Sequence, residues 1–187
     1  VMHTAGLHCF DTALGPCGVA WGPQGLRAVA LPGPGPDAVV ARLQARAPGA
    51  VATEAPPWVL DLADRLRRHL AGEAVDYTDV PLDLSDVPAF HRDVYAAARA
   101  LPSGQTVSYG ALAARLGRPG AARAVGQAMA RNPWLLVVPC HRGLAADGGA
   151  GGFSAHGGVA TKGRLLALEG APLKPARTPR ASRHAVA

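Results

Sequence analysis

At 187 residues, with 49% of them hydrophobic, the chain is long enough to bury a true core and needs no disulfide or metal staple to fold. Three cysteines, Cys9, Cys17 and Cys140, at no scaffold-like spacing argue against a disulfide framework and fit a reducing compartment. No stretch reaches the roughly 18 apolar residues that span a bilayer, and the first residues lack the basic-then-apolar order of a secretory leader, so a cytoplasmic protein with no membrane partner is expected.

The net charge of +6 is unevenly spread. Residues 1–90 carry six Arg against ten Asp or Glu, a net of −4, whereas residues 91–187 carry eleven Arg and two Lys against only Asp93, Asp147 and Glu169, a net of +10. Setting aside Lys174, Arg177, Arg180 and Arg183 of the tail still leaves +6 on residues 91–170. Such a concentration of positive charge is the electrostatic footprint of a nucleic-acid partner.

The first elements are short apolar runs, His8–Phe10, Gly18–Trp21 and Leu26–Leu31, punctuated by Gly-Pro pairs, which predict a small antiparallel sheet with tight turns. Val39, Val40 and Leu43 predict a helix over Pro36–Ala47. A second helix, Pro57–Leu70, opens with proline, repeats Leu62, Leu66 and Leu70, and stops before Gly72. Asp76–Val87 alternates acidic and apolar residues between prolines and predicts a strand plus linker.

Beyond residue 88 the pattern turns helical. Phe90, Val94 and Ala98 mark a helix over Pro88–Leu101. Ala111–Leu116 and Ala121–Arg131, joined by the Gly117–Gly120 turn, form a helix-turn-helix pattern. The second of these helices has an unusually small-residue surface, with Ala122 and Gly126 beside Arg123, and predicts close approach to DNA. An apolar run ending in Val137-Val138 predicts a core strand, stopped by Pro139, that presents Cys140, His141 and Arg142. A thiol becomes a useful nucleophile as thiolate, and an adjacent histidine is the usual proton acceptor. The glycine-rich stretch Gly143–Gly158 matches no nucleotide-binding pattern, so no cofactor is expected. A closing helix over Val159–Leu168 ends at Glu169, where the helix dipole disfavours a carboxylate; a specific partner for Glu169 is therefore expected.

The expected fold is an α/β N-terminal domain (residues 1–87, a small antiparallel sheet with helices) followed by a mostly α C-terminal domain (residues 88–170) with a winged-helix-like helix-turn-helix. The Pro, Arg and Ser content of residues 171–187 predicts a disordered basic tail.

Tyr109, Arg123, Asn132-Pro133, Pro139-Cys140-His141-Arg142, Ser154 and Glu169, with the Ser-Tyr-Gly-x-Leu-Ala and Ala-Ala-Arg-Ala-Val-Gly segments, resemble the O6-alkylguanine-DNA alkyltransferases (methylated-DNA–protein-cysteine methyltransferases). The resemblance is strong over about residues 88–170 and weaker before it, through Thr12–Pro16 and the hairpin that follows. It implies direct-reversal DNA repair by a monomer: the O6-alkyl group of guanine in duplex DNA, with O4 of thymine as a further target, passes irreversibly to Cys140. It also implies minor-groove binding through Arg123, Ala122 and Gly126, with Arg123 filling the gap left by the extruded base. Tyr109 would assist extrusion and donate to the guanine ring, Ser154 would bond near O6, and the Gly143 carbonyl would accept from guanine's amino group. His141 and Glu169 would relay the Cys140 proton through a water, and Asn132 would hold the loop between the recognition helix and the reactive segment.

Two departures from the family's pattern bear on the alkyl pocket: Gly143 stands where the family usually has Val, and Ala155-His156 reads as an insertion. Cys9, Cys17, His3 and His8 offer no four-ligand spacing, so no metal is expected. A non-catalytic lesion sensor of the same architecture is the main rival reading. A thiol hydrolase would leave the basic half unexplained.

Overall fold

The computed structural model describes residues 5–151, 153, 155 and 157–173. His3, Ser154, His156 and residues 174–187, which include most of the tail expected to be disordered, lie outside the described residues.

Three antiparallel strands, β1 (Gly6–Thr12), β2 (Gly15–Gly22) and β3 (Gly25–Ala30), form a sheet in chain order. The first hairpin is tightened by its own threonine: Thr12 Oγ1 donates to Gly15 O at 2.6 Å and accepts from Leu14 N at 3.2 Å. Side chains alternate between two faces. On one face Ala20, Ala28 and Ala30 receive Val39 and Leu43 of α1 (Pro36–Arg46), the small alanines allowing the helix close to the sheet. The other face carries Phe10, Val19, Trp21 and Leu26 against Leu62, Leu66 and Leu70 of α2 (Pro57–Leu70).

The expected strand in Asp76–Val87 does not form. Only Leu82 bridges Leu26, with Leu26 N bonded to Pro81 O at 2.8 Å and Asp83 N to Leu26 O at 2.9 Å. Pro81 has no N–H to continue a ladder, and Asp83 turns the chain by accepting Ser85 N at 3.1 Å. The linker lies so close to the second hairpin that a Cβ on Gly25, at φ 124°, would sit 2.6 Å from Pro81 O.

The second half comprises α3 (Ala89–Arg99), α4 (Tyr109–Arg115), α5 (Ala122–Ala130) and α6 (Gly158–Leu168), with a two-stranded parallel sheet of β4 (Val107–Ser108) and β5 (Gly143–Leu144). α4 begins before Ala111 because the Ser108 hydroxyl accepts Ala111 N at 3.0 Å as an N-cap, which puts Tyr109 in the first turn. Val94 and Ala98 of α3, Leu112 of α4, Val125 and Ala128 of α5 and Leu165 of α6 join the same buried cluster as Trp21 and Leu66. Trp134 fastens the halves by donating its indole N–H to Leu26 O at 2.6 Å.

The apolar run before Cys140 is not a strand. Trp134 bridges Val29, Leu135 bridges Val138, and the residues between them turn, with Leu136 at φ 71° in the left-handed region. Asn132, 1% exposed, holds this turn: its side chain donates to Val138 O at 2.8 Å and accepts from Trp134 N at 2.9 Å. Among the described residues no helix is long and apolar enough to cross a membrane.

Candidate active site around Cys140

Cys140 opens a single 3-10 turn, Cys140–Arg142, immediately after the Asn132-braced segment. Its side chain is almost wholly enclosed, the residue being 3% exposed. Burial pushes the thiol up from its ordinary range, while the Asn132 side chain, the Lys162 ammonium and the backbone N–H groups of Cys140 and His141 pull the other way. A thiol so placed rests protonated and needs a base.

His141, the next residue in the turn, is the imidazole nearest in sequence. Its Nε2 is hydrogen-bonded to Glu169 Oε1, and its Nδ1 is buried with no hydrogen-bonding partner among the described residues. Because a carboxylate can only accept, Nε2 carries the proton and Nδ1 the free lone pair. Burial lowers the imidazole's basicity, against the opposing pull of Glu169, and favours the neutral form. Glu169, at the C-terminus of α6, has the specific partner its unfavourable helix position calls for, and in fact three. Arg142 grips it twice, Nε to Oε2 at 2.9 Å and Nη2 to Oε1 at 3.0 Å, and His69 Nε2 lies 3.4 Å from Oε1. Burial alone would raise this carboxyl, but the bonds from His141, His69 and Arg142 outweigh it and hold it well below the usual carboxylate range.

Beside the thiol lies Lys162, fully buried, donating to Gly143 O at 2.6 Å and to Ala150 O, and 3.4 Å from Tyr109 Oη. Burial lowers its ammonium to about 8, partly offset by Cys140. The Gly143 carbonyl, expected to receive guanine's amino group, is thus already an acceptor for Lys162. Tyr109 is half-buried, its phenol pushed up by burial and by Cys140, and its ring is boxed by glycines. A Cβ on Gly143 would lie 2.7 Å from Tyr109 Cε1, one on Gly151 2.8 Å from Tyr109 Oη, and one on Gly126 3.3 Å from the ring. The glycine at 143 therefore lets the ring lie where a valine would stand.

Gly126 accordingly faces Tyr109, while Arg123 is exposed and Ala122 half-exposed on α5, whose opposite side buries Val125, Ala128 and Met129. Ser154 lies outside the described residues. Ala155, beside it, is buried in the common core.

Arg142 stands in the motif without an assigned role there, and Lys162 and His69 are site residues that motif spacing does not single out. The latter two still had a legible signal: His69 falls on the Leu62, Leu66, Leu70 stripe of α2, and Lys162 precedes Leu165 and Leu166 on the buried face of α6. One ring nitrogen each of His69 and His141 and a Glu169 oxygen lie within 4.8 Å of one another, close enough to share a cation. Arg142 already supplies that carboxylate's counter-charge and both imidazoles point donors at it, so the cluster suits a proton better than a metal.

The description "6-O-methylguanine DNA methyltransferase, DNA binding domain" matches residues 89–171. The methylated-DNA–protein-cysteine methyltransferase of Methanothermobacter thermautotrophicus is 35% identical over 157 residues, covering 84% of this chain and 81% of that protein. The Shigella flexneri protein of the same name is 45% identical over 109 residues; the match covers 58% of this chain and spans only 62% of that relative's length. Among solved structures, Mycobacterium tuberculosis OGT in complex with DNA superposes with a TM-score of 0.69 at 33% identity, covering 88% of this chain and 92% of that one. The O6-methylguanine-DNA methyltransferase of Pyrococcus kodakaraensis gives 0.69 at 26% identity, covering 89% and 99%.

Proposed function

The chain belongs to the methylated-DNA–protein-cysteine methyltransferase family, and on that premise we propose that Cys140 accepts the alkyl group of O6-alkylguanine in duplex DNA, once per molecule. The observation that carries this reading is His141, anchored by Glu169 through Nε2 and with no hydrogen-bonding partner for Nδ1 among the described residues, directly after the buried Cys140.

Cys140 gives its proton through a water to His141 Nδ1, and the imidazolium is stabilised by Glu169. Lys162, charged below about 8, favours the thiolate. Sulfur attacks the alkyl carbon, the carbon–O6 bond breaks, and its electron pair passes to O6 and the purine ring. The ring takes up a proton, for which the Tyr109 hydroxyl is the donor. A thioether resists hydrolysis, so the acceptor is spent.

A base inside a duplex cannot reach this sulfur, and extrusion costs a few kcal/mol. Exposed Arg123, with Ala122 beside it, is suited to hold the minor groove and fill the emptied stack, while Gly126 keeps α5 close to Tyr109. Cys140 is only 3% exposed, so the extruded base reaches it only once the groups enclosing the thiol shift. The three free thiols suit a reducing cytoplasm.

Incubation with a duplex containing O6-methylguanine should add one methyl mass to the Cys140 peptide, and Cys140→Ser should abolish it. Tight lesion binding without a mass change would instead support a sensor.

A further inference from the structure

The proton network does not stop at Glu169. His69, 2% exposed, enters from α2 a hundred residues upstream, so that two imidazoles converge on Glu169 Oε1. On its far side His69 Nδ1 is 2.9 Å from the hydroxyl of buried Tyr77. The donors can be assigned by exclusion. Glu169 only accepts, so His69 presents Nε2–H to it. With one proton on the ring, Nδ1 is left as a lone pair, and the Tyr77 hydroxyl is the group placed to donate to it. Tyr77 thereby fixes the tautomer, as a second partner commonly does for a working histidine. Burial pushes the Tyr77 phenol far up, which keeps it a donor at all ordinary pH.

Resting on the alkyl-transfer reading above, we propose that His69 is a positioning residue of the site: locked by Tyr77 as an Nε2–H donor, it shares Glu169 Oε1 with His141 and keeps His141 a neutral base. The groups facing His69 are Tyr77 from the loop after α2, His141 and Arg142 from the 3-10 turn, and Glu169. Arg65 and Arg68 on α2 itself add positive charge near Tyr77. With the His69 donor present, the carboxylate's charge is divided among three side chains and pulls less on the His141 proton. Without it, Glu169 holds the His141 imidazolium more strongly, and a larger share of His141 is protonated and idle at neutral pH. The acidic N-terminal half would then contribute directly to the chemistry and not only to the core.

The test is the pH dependence of single-turnover transfer from O6-methylguanine duplex to Cys140. Transfer falls as pH drops through the His141 titration. Replacing His69 by Phe should move that acid limb up by about one pH unit, and Tyr77→Phe, which frees the tautomer but keeps the donor, by about half as much. His69→Gln, whose amide nitrogen can stand near Nε2, should keep the wild-type limb. An acid limb in His69→Phe within about 0.2 unit of wild type, or a His69→Gln limb displaced as far as that of Phe, would overturn the proposal even if rates fall uniformly. Long-range proton–nitrogen NMR of the imidazoles in DNA-free protein supplies a readout independent of transfer. His69 should appear as the Nε2–H tautomer, and His141 should titrate higher in His69→Phe. If the wild type leaves Cys140 unalkylated, the alkyl-transfer reading fails, while an unmoved His141 titration by NMR sinks the His69 coupling by itself.

Discussion

Glu169→Gln keeps the shape of the side chain and removes only its charge, so it isolates what the carboxylate does. In the native protein the Glu169 side chain is 2% exposed and faces His141 Nε2, His69 Nε2 and two guanidinium nitrogens of Arg142, itself 6% exposed. An amide can still accept through one oxygen. Where Oε2 now meets Arg142 Nε at 2.9 Å, an NH2 would oppose an N–H, and the buried guanidinium would lose its counter-charge. Removing one partner of a buried ion pair costs about 3–5 kcal/mol, and the hydrogen bonds that survive favour the lower end. For a chain of this size about 3 kcal/mol corresponds to a fall in melting temperature of roughly 6–12 °C. Catalytically the variant loses the anchor and counter-ion of the general base, worth about a hundredfold in single-turnover transfer.

The same variant has a pH signature. Glu169 titrates lower in the folded protein than unfolded, so its stabilisation is present above the unfolded carboxyl value and is lost as pH falls through and below it. Differential scanning calorimetry should show the wild type losing this increment with acid and the variant lacking that part of the pH dependence. A variant that melts within about 1 °C of wild type and transfers within about threefold would refute the assignment of Glu169 as the charged anchor.

Three further outcomes are expected. Asn132→Ala should cost about 2–4 kcal/mol in urea melts, because Trp134 N and Val138 O are left buried without their partner, and should slow iodoacetamide labelling of Cys140 by removing a bond that favours the thiolate. Gly143→Val should cost about 1–3 kcal/mol through the clash with Tyr109, and the cost should largely vanish in a Tyr109→Ala background, as a double-mutant cycle can measure. Arg123→Ala, at an exposed position, should change stability by under about 0.5 kcal/mol yet slow transfer from duplex lesions about tenfold, with transfer from free O6-benzylguanine unchanged.

Where periodicity and punctuation carried information, the sequence was a good guide. The Leu62, Leu66, Leu70 repeat after Pro57 located α2, and Gly117 and Gly120 located the turn between α4 and α5. The apolar run before Cys140 misled because β-branched residues suit a strand and a buried turn alike. What decides is the Asn132 side chain, which satisfies backbone groups that a neighbouring strand would otherwise have taken. His69 could not be paired with Glu169 by spacing, since nothing local links positions a hundred residues apart. Its position on a stripe of leucines was nonetheless a readable anomaly, for a histidine buried there must find hydrogen-bond partners. Lys162 carried the same kind of signal on α6.

The core shared between Trp21 and Leu66 on one side and Val94, Val125 and Leu165 on the other has a consequence for how this chain can be recombined. A cut at residue 88, in the exposed linker just before the matched region, would split that shared interior between two fragments. The downstream fragment would take Trp134 away from Leu26 and Glu169 away from His69, exposing a broad apolar face where the sheet and α2 had lain. Shuffled as a cassette, such a fragment would have to acquire a replacement lid from its new neighbour before its cysteine could be armed.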